Sequence, residues 1–282
     1  MSIPLSPNRS APLPKVSIVM VNWNRYDDVL FALKSIREQD YPNVEIIVVD
    51  NGSKDGSPDK LASETDVALI RLCKNCGPSE ARNVGLRSAD GKYLLLLDSD
   101  AILARNTLRV LVDRMEGEPD LGILGCRILN YTSRCIDQWI YAQAYETHGN
   151  RPFDTYSFSA AGALIRADLI KDGTGFWEEL FIYNEEVDLA LQVIRKGFRV
   201  GYEPDAPRAA QPQRQWPSRS VELLFLSAAE LDVDRLPPLP VLAAVEEDRD
   251  VFLDLRDEGP HQSLPEGGPA RLFRGAEPHG HR

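Results

Sequence analysis

Short, nearly continuous apolar runs recur through the first hundred residues. Each is followed by a stretch in which apolar positions fall three or four apart. The runs are residues 16–21 (VSIVMV), 45–50 (EIIVVD), 67–72 (VALIRL) and 93–98 (YLLLLD), and runs of this length predict buried strands. Residues 28–39, 58–64, 79–88 and 107–116 carry the helical spacing, with Val29, Leu33 and Ile36 on one face of the first. Strands that alternate with helices and are apolar on both faces predict an α/β fold, with a mostly parallel central sheet flanked by helices. After residue 120 the pattern loosens. Strands are expected at 121–126, 157–165 and 198–203, the last ending at Pro204, and a helix at 185–196 closed by Gly197.

The two ends break the alternation. Residues 1–14 hold four prolines and no periodic apolar pattern, and read as a flexible lead. Residues 15–205 carry the folded domain. Residues 206–245 read as a partly helical extension, with an amphipathic helix at 220–231, and residues 246–282 as a polar, Gly- and Pro-rich disordered tail. No internal repeat is visible.

Composition narrows the function. The chain has 282 residues, with 32 Lys+Arg against 43 Asp+Glu, a formal charge of −11. That balance argues against nucleic acid as a partner and against broad electrostatic docking on anionic membranes, while leaving local peripheral membrane contact open. No apolar run approaches the roughly 18–20 residues of a membrane helix, and the N-terminus lacks the apolar stretch of a signal peptide. The expectation is a cytoplasmic protein without a transmembrane segment. Cys73 and Cys76 form a lone CxxC, with Cys126 and Cys135 too far apart to supply a second pair, so the thiols read as ordinary rather than zinc-binding or redox-active. The sequons at Asn8, Asn51 and Asn130 carry little weight without a secretion signal.

Several familiar motifs are absent: GxGxxG after the first strand, a Walker A loop, GxSxG and the kinase set. What stands out instead is acid at strand ends. Asp50 ends the second strand, and Asp98 and Asp100 end the fourth, as Asp98-Ser-Asp100. Ligands of open α/β sheets bind at that edge. Two carboxylates spaced i, i+2 there suit a hard divalent cation that also holds a diphosphate; the alternative is that they cap the next helix or shape a turn. A second cluster, Glu185-Glu186-Val187-Asp188, places three carboxylates within four positions. The helix dipole accounts for one or two of them. A general base whose proton affinity is raised by crowding accounts for the set.

Five segments in order resemble the family 2 glycosyltransferases, which have the GT-A fold, over roughly residues 15–204. They are Val16-Ser-Ile-Val-Met-Val-Asn-Trp-Asn-Arg25, Val48-Val-Asp-Asn-Gly-Ser-Lys-Asp55, Asn75-Cys-Gly-Pro-Ser-Glu-Ala-Arg-Asn-Val-Gly85, Asp98-Ser-Asp100 and Leu180-Phe-Ile-Tyr-Asn-Glu-Glu-Val-Asp-Leu189. The resemblance implies that Asn22 and Asn24 line a nucleotide pocket, that Asp50 accepts from a pyrimidine N3–H, and that Arg82 approaches the nucleotide. It implies that Asp98 reaches ribose and metal, that Asp100 ligates Mg2+ or Mn2+, and that Glu186 is the base, with Glu185 and Asp188 beside it. The implied activity is inverting, metal-assisted transfer of a hexosyl or deoxyhexosyl group, as in bacterial polysaccharide synthesis. A nucleoside-diphosphate sugar, UDP or dTDP first, would be the donor, and a glycan, lipid-linked or small-molecule hydroxyl the acceptor.

The chain departs from the family pattern at three places. Trp177 stands where an aspartate is usual and Gln192 where an arginine is common, and no histidine follows Glu203-Pro-Asp205 until His261. Trp139, Trp177 and Tyr183 are candidates either for stacking on a sugar or for the core. Two rival readings stand beside the transferase. One is a sugar-phosphate nucleotidylyltransferase, which would want a glycine-rich loop where residues 22–27 have none. The other is a catalytically degenerate nucleotide-sugar-binding or scaffolding protein of the same fold.

Overall fold

The computed structural model describes residues 12–130, 133, 135–136, 139–179 and 185–210. Tyr183 and the expectations for residues 1–11 and 211–282 lie outside the described residues. The strands are β1 Val16–Asn22, β2 Val44–Asp50, β3 Val67–Arg71, β4 Tyr93–Leu97, β5 Ala101–Leu103, β6 Leu121–Asn130, β7 Phe153–Thr155, β8 Gly162–Arg166 and β9 Arg199–Ala210. The helices are α1 Tyr26–Arg37, α2 Ser57–Leu61, α3 Pro78–Ser88, α4 Thr107–Gly117, α5 Tyr145–His148, α6 Ala167–Lys171 and α7 Glu185–Arg195.

Among the described residues all nine strands join one sheet in the order β3-β2-β1-β4-β8-β6-β9-β5, with β7 paired to β9. The pairs β1–β2, β1–β4, β2–β3 and β6–β9 are parallel, and β8 runs antiparallel between β4 and β6. Because β8 reverses twice, β6 and β9 again point along β1. The sheet is therefore mostly parallel, as the apolar runs imply. Every residue of β4 is buried, and β1 is buried at all but one position. Alternate side chains feed two cores: Ile18 and Met20 pack with Leu33 and Leu111 on one face, and Val19 with Ala81 and Leu189 on the other. A fully buried leucine contributes about 1.5–3 kcal/mol relative to an exposed one, so β4 anchors both layers.

Strand β6 runs past the expected residue 126 to Asn130, the short β5 and β7 were not expected, and two further strands differ from the sequence reading. The strand expected over 157–165 begins only at Gly162, because Gly162 N–H donates to Ser159 O (3.1 Å) and turns the chain. Phe158 and Ala160 are apolar because they pack, without joining a ladder. The last strand does not stop at Pro204 but runs to Ala210. Its register against β6 jumps from Cys126↔Glu203 to Arg127↔Pro207, so Pro204 sits in a bulge where its missing N–H breaks no ladder bond. The Pro207 carbonyl accepts from Ala104 N–H (3.2 Å) and Thr107 Oγ1 (2.8 Å).

Helix α3 lies close to the sheet because Gly85 has no side chain. A Cβ there would come within 2.3 Å of Val19 Cγ1 and 3.1 Å of Val49 Cγ2. Gly85→Ala is therefore expected to cost about 1–3 kcal/mol by overpacking. That lowers the melting temperature by about 2–4 °C per kcal/mol in a differential scan, and an unchanged scan would show that α3 has room to spare.

Candidate active site at the carboxyl edge of the sheet

Parallel neighbours β2, β1 and β4 end at the same edge, which brings Asp50, Asn22 and Asp98 together. Asn22 and Asp50 are in register. The chain moves outward from β1 to β2 and β3, then crosses back to place β4 on the other side of β1. A strand-order reversal of this kind marks the usual ligand position in such sheets, outside the carboxyl ends of the strands.

Asn22 is fully buried and Asp50 is 1% exposed. Asn22 Nδ2 donates to Asp50 Oδ1 (2.7 Å) and Ser53 Oγ (3.1 Å), and Asn22 Oδ1 accepts from Arg25 N–H (3.2 Å). Asp50 Oδ2 accepts from Ser53 N–H (3.0 Å). Asn22 thus shapes the pocket from beneath, and each Asp50 oxygen keeps a second lone pair. Asn24 is exposed and left-handed (φ 56°), a conformation asparagine tolerates better than most residues. Its Oδ1 accepts from Lys54 N–H (2.8 Å), locking the first turn to the second. Asn51 extends the network by donating to Asn75 Oδ1 (3.0 Å) and Gly77 O (3.1 Å), which holds the loop leading into α3.

Asp98 and Asp100 occupy a tight turn between β4 and β5, closed by Ala101 N–H on Asp98 O (3.0 Å). The next helix begins at Thr107 with Asn106 at its N-cap, so the pair does not cap it. Each carboxylate meets an arginine instead. Arg82 Nη2 donates to Asp98 Oδ1 (3.3 Å), and Arg25 Nη2 lies 3.4 Å from Asp100 Oδ2. Among the described residues no group of three His, Cys, Asp or Glu side chains gathers to hold a metal. The pair nevertheless fits a hard cation whose remaining ligands are diphosphate oxygens and water, the way Mg2+ is commonly held.

Arg82 is the centre of the site. Its side chain is 13% exposed, and its other nitrogen, Nη1, donates to Glu185 Oε1 (3.1 Å) at the start of α7. The guanidinium stands over the Phe176 ring at 5.5 Å. Burial opposes its charge, but Asp98, Glu186 and Glu185 outweigh that and hold the arginine firmly protonated. Glu185 is 3% exposed, and its Oε2 is buried with no protein partner among the described residues. Glu186 is half-buried, and its Oε1 accepts from Ala160 N–H (3.4 Å). Burial and the neighbouring Glu185 charge push its carboxyl up to about 7, against the opposing pull of Arg82. A carboxylate tuned near neutrality can take a proton from a hydroxyl.

Asp188 is turned to another task. Its Oδ2 accepts from Gln192 Nε2 (2.6 Å), and the same amide nitrogen donates to Gly175 O (2.9 Å). From the opposite side, Asn83 Nδ2 donates to Phe176 O (2.7 Å) and Asn83 Oδ1 accepts from Phe176 N–H (2.9 Å). Two amides thus fix the loop that carries Trp177, which is 52% exposed. Trp139 belongs to packing. It meets Tyr141, Tyr145, Phe153 and Tyr202 at 4.9–5.9 Å, and its Nε1 donates to Gln143 O (2.5 Å). The sequence reading assigned no site role to Arg25, Asn83 or Ser53. A lone arginine just past the first strand of an acidic edge was the available signal for Arg25.

Solved structures share this architecture. A mannosyltransferase from Pyrobaculum calidifontis, in complex with GDP-Man and Mn2+, aligns with TM-score 0.59 at 25% identity over 75% of this chain and 62% of that one. S. aureus TarS 1-349 in complex with UDP aligns with TM-score 0.56 at 22% identity over 71% of this chain and 61% of that one. The fold is GT-A. Among curated relatives, the succinoglycan biosynthesis protein ExoO of Rhizobium meliloti is 34% identical over 40% of this chain and 33% of its own. Poly-beta-1,6-N-acetyl-D-glucosamine synthase of Staphylococcus aureus is 22% identical over 68% of this chain and 48% of its own. The chain thus spans between a third and a half of these curated relatives. The glycosyl transferase family 2 signature matches residues 17–173, more than half of the chain, and the chain belongs to glycosyl transferase family 2.

Proposed function

We propose that this protein transfers a sugar from a nucleoside-diphosphate donor to an acceptor hydroxyl, with inversion at the anomeric carbon and Glu186 as the base. The observation that carries the reading is the Arg82 bridge, which ties Asp98 at the end of β4 to Glu185 at the start of α7, one residue from Glu186, whose carboxyl burial and the Glu185 charge push up to about 7. Base and metal-site carboxylate are thereby held in one charge network. Asp98 and Asp100 would hold Mg2+ or Mn2+, and a bound cation supplies charge neutralisation for the leaving diphosphate.

The steps of the protein's own groups then follow. Asp50 offers a lone pair to the base, with UDP or dTDP preferred because a pyrimidine presents N3–H. Asn24 and the turns it locks shape the ribose side. Glu186 takes the acceptor proton while the hydroxyl oxygen bonds to the anomeric carbon and the bond to the diphosphate breaks on the opposite face. The mannosyltransferase and TarS neighbours, one titled with a GDP sugar and the other with UDP, support the donor class without choosing the base. ExoO and the poly-N-acetylglucosamine synthase support polysaccharide building as the setting. No helix among the described residues is long and apolar enough to cross a membrane. A glycan, a lipid-linked sugar and a small molecule all remain candidate acceptors.

Calorimetry tests the donor half. UDP or dTDP is expected to bind at least about tenfold more tightly with Mn2+ than with EDTA, and Asp100→Asn should erase the difference; equal affinity in both buffers contradicts the metal assignment. With donor and acceptor in hand, Glu186→Gln should lower turnover by about 10²–10⁴-fold with nucleotide affinity nearly unchanged. The wild-type rate should climb as pH rises through about 7, where Glu186 loses its proton.

Stability gives an acceptor-free check of the same group. Because its proton is held more tightly in the folded protein, Glu186 makes stability fall as pH rises from the ordinary glutamate value of 4.5 to about 7. Above that window the buried charge is a standing penalty, which glutamine removes. A rise of this size in proton affinity is worth up to roughly 3 kcal/mol, less what solvent at the half-buried carboxyl screens, so Glu186→Gln should melt roughly 4–10 °C higher than wild type at pH 8 and at about the same temperature near pH 4.5. A lower melting point for the variant at pH 8 would show that the charge is stabilising and the carboxyl is not raised.

A further inference from the structure

We propose that Arg25 is a tethered cation that competes with a divalent metal ion for Asp100, and that it passes to the donor diphosphate when the metal binds. The inference rests on the metal assignment made above.

The two arginines on the acidic turn are not equivalent. Arg82 is 13% exposed and held from behind by Glu185, so it stays with Asp98. Arg25 is 25% exposed and joins two carboxylates on its outer side: its Nε donates to Asp28 Oδ2 (2.7 Å), and Nη2 lies 3.4 Å from Asp100 Oδ2. Its main chain is fixed at the start of α1, because Arg25 N–H donates to Asn22 Oδ1 (3.2 Å) and Arg25 O accepts from Val29 N–H (3.1 Å). The long side chain can therefore change partner while its root stays at the strand edge. Asp28 holds the guanidinium beside the turn even when Asp100 lets go.

Electrostatics sets the direction of the exchange. A divalent ion on Asp100 would share that carboxylate with a guanidinium a few ångströms away, and the two positive charges repel. A diphosphate bound to the same ion brings negative charge within reach of the displaced guanidinium, whose planar fork matches phosphate oxygens. Arg25 would thus weaken metal binding without nucleotide and strengthen nucleotide binding with metal. The metal would then arrive together with the donor rather than before it.

This opposition of signs is testable. Mn2+ binding to the nucleotide-free protein is followed by electron paramagnetic resonance, and UDP binding at saturating Mn2+ by calorimetry. Arg25→Gln is expected to tighten Mn2+ about three- to tenfold and to weaken UDP about fivefold or more. Arg25→Lys, which keeps the charge and loses the fork, should leave Mn2+ within about twofold of wild type and still weaken UDP. Unchanged or weaker Mn2+ binding in Arg25→Gln, where Asp100→Asn abolishes it, overturns this inference and leaves the metal assignment standing. Mn2+ binding that survives Asp100→Asn overturns both.

Discussion

A single buried guanidinium connects the two halves of the site. Arg82 projects from α3 between the end of β4 and the start of α7, donating to Asp98 at 3.3 Å and Glu185 at 3.1 Å. Without it, carboxylates from segments nearly ninety residues apart would face one another at the sheet edge, and each would drive its neighbour toward protonation. With it, Asp98 has a cationic partner, and Glu186, raised first by burial and then by the Glu185 charge, is kept near neutrality rather than above it. Removing one partner from a buried charge cluster commonly costs more than the cluster contributes as a whole, so the fold has little freedom at position 82. The close seat of α3 on the sheet, through Gly85, is what aims this side chain.

A second set of contacts supports the first without carrying charge. Asn83, next to Arg82, grips both backbone groups of Phe176, and Gln192 bonds to Gly175 and Asp188. The loop bearing Phe176 is thus pinned from α3 and from α7, the two helices that supply the arginine and the acids. Phe176 in turn packs beneath the Arg82 guanidinium. Positioning groups are rigid here because each is held by directional amide bonds rather than by packing alone. Where the family commonly has an arginine, Gln192 does this work with a neutral side chain, leaving Arg82 the cation that faces the α7 glutamates.

Much of the scaffold was legible in the sequence, because burial on both faces of a parallel strand forces continuous apolar runs. β1, β2 and β4 fall within a residue or two of their runs, and Asn22, Asp50 and, one residue past β4, Asp98 mark the site edge. Short elements were not legible. β5 and β7 have three residues each, and their pairing with β9 is set by distant chain rather than by local pattern. Residues 157–161 misled because apolar spacing reports burial, and Phe158 is buried without being in a strand. Pro204 misled because a bulge excuses a proline that a regular ladder would reject. The acids of the site were readable as residues, whereas their partners were not. The pairing of Arg82 with Glu185 and of Arg25 with Asp100 depends on which strand lies beside which, and no local spacing encodes that.

The claim on which the account rests is that Arg82 restrains a Glu186 proton affinity raised first by burial and then by the Glu185 charge. Carbon-13 NMR of glutamate-labelled protein can follow the Glu186 carboxyl directly through a pH titration, in wild type and in Arg82→Gln. The wild-type carboxyl is expected to titrate at about 7 and to move higher in the variant, because burial and the Glu185 charge then act unopposed. A Glu186 midpoint that stays in place or falls when the arginine is removed would contradict the account.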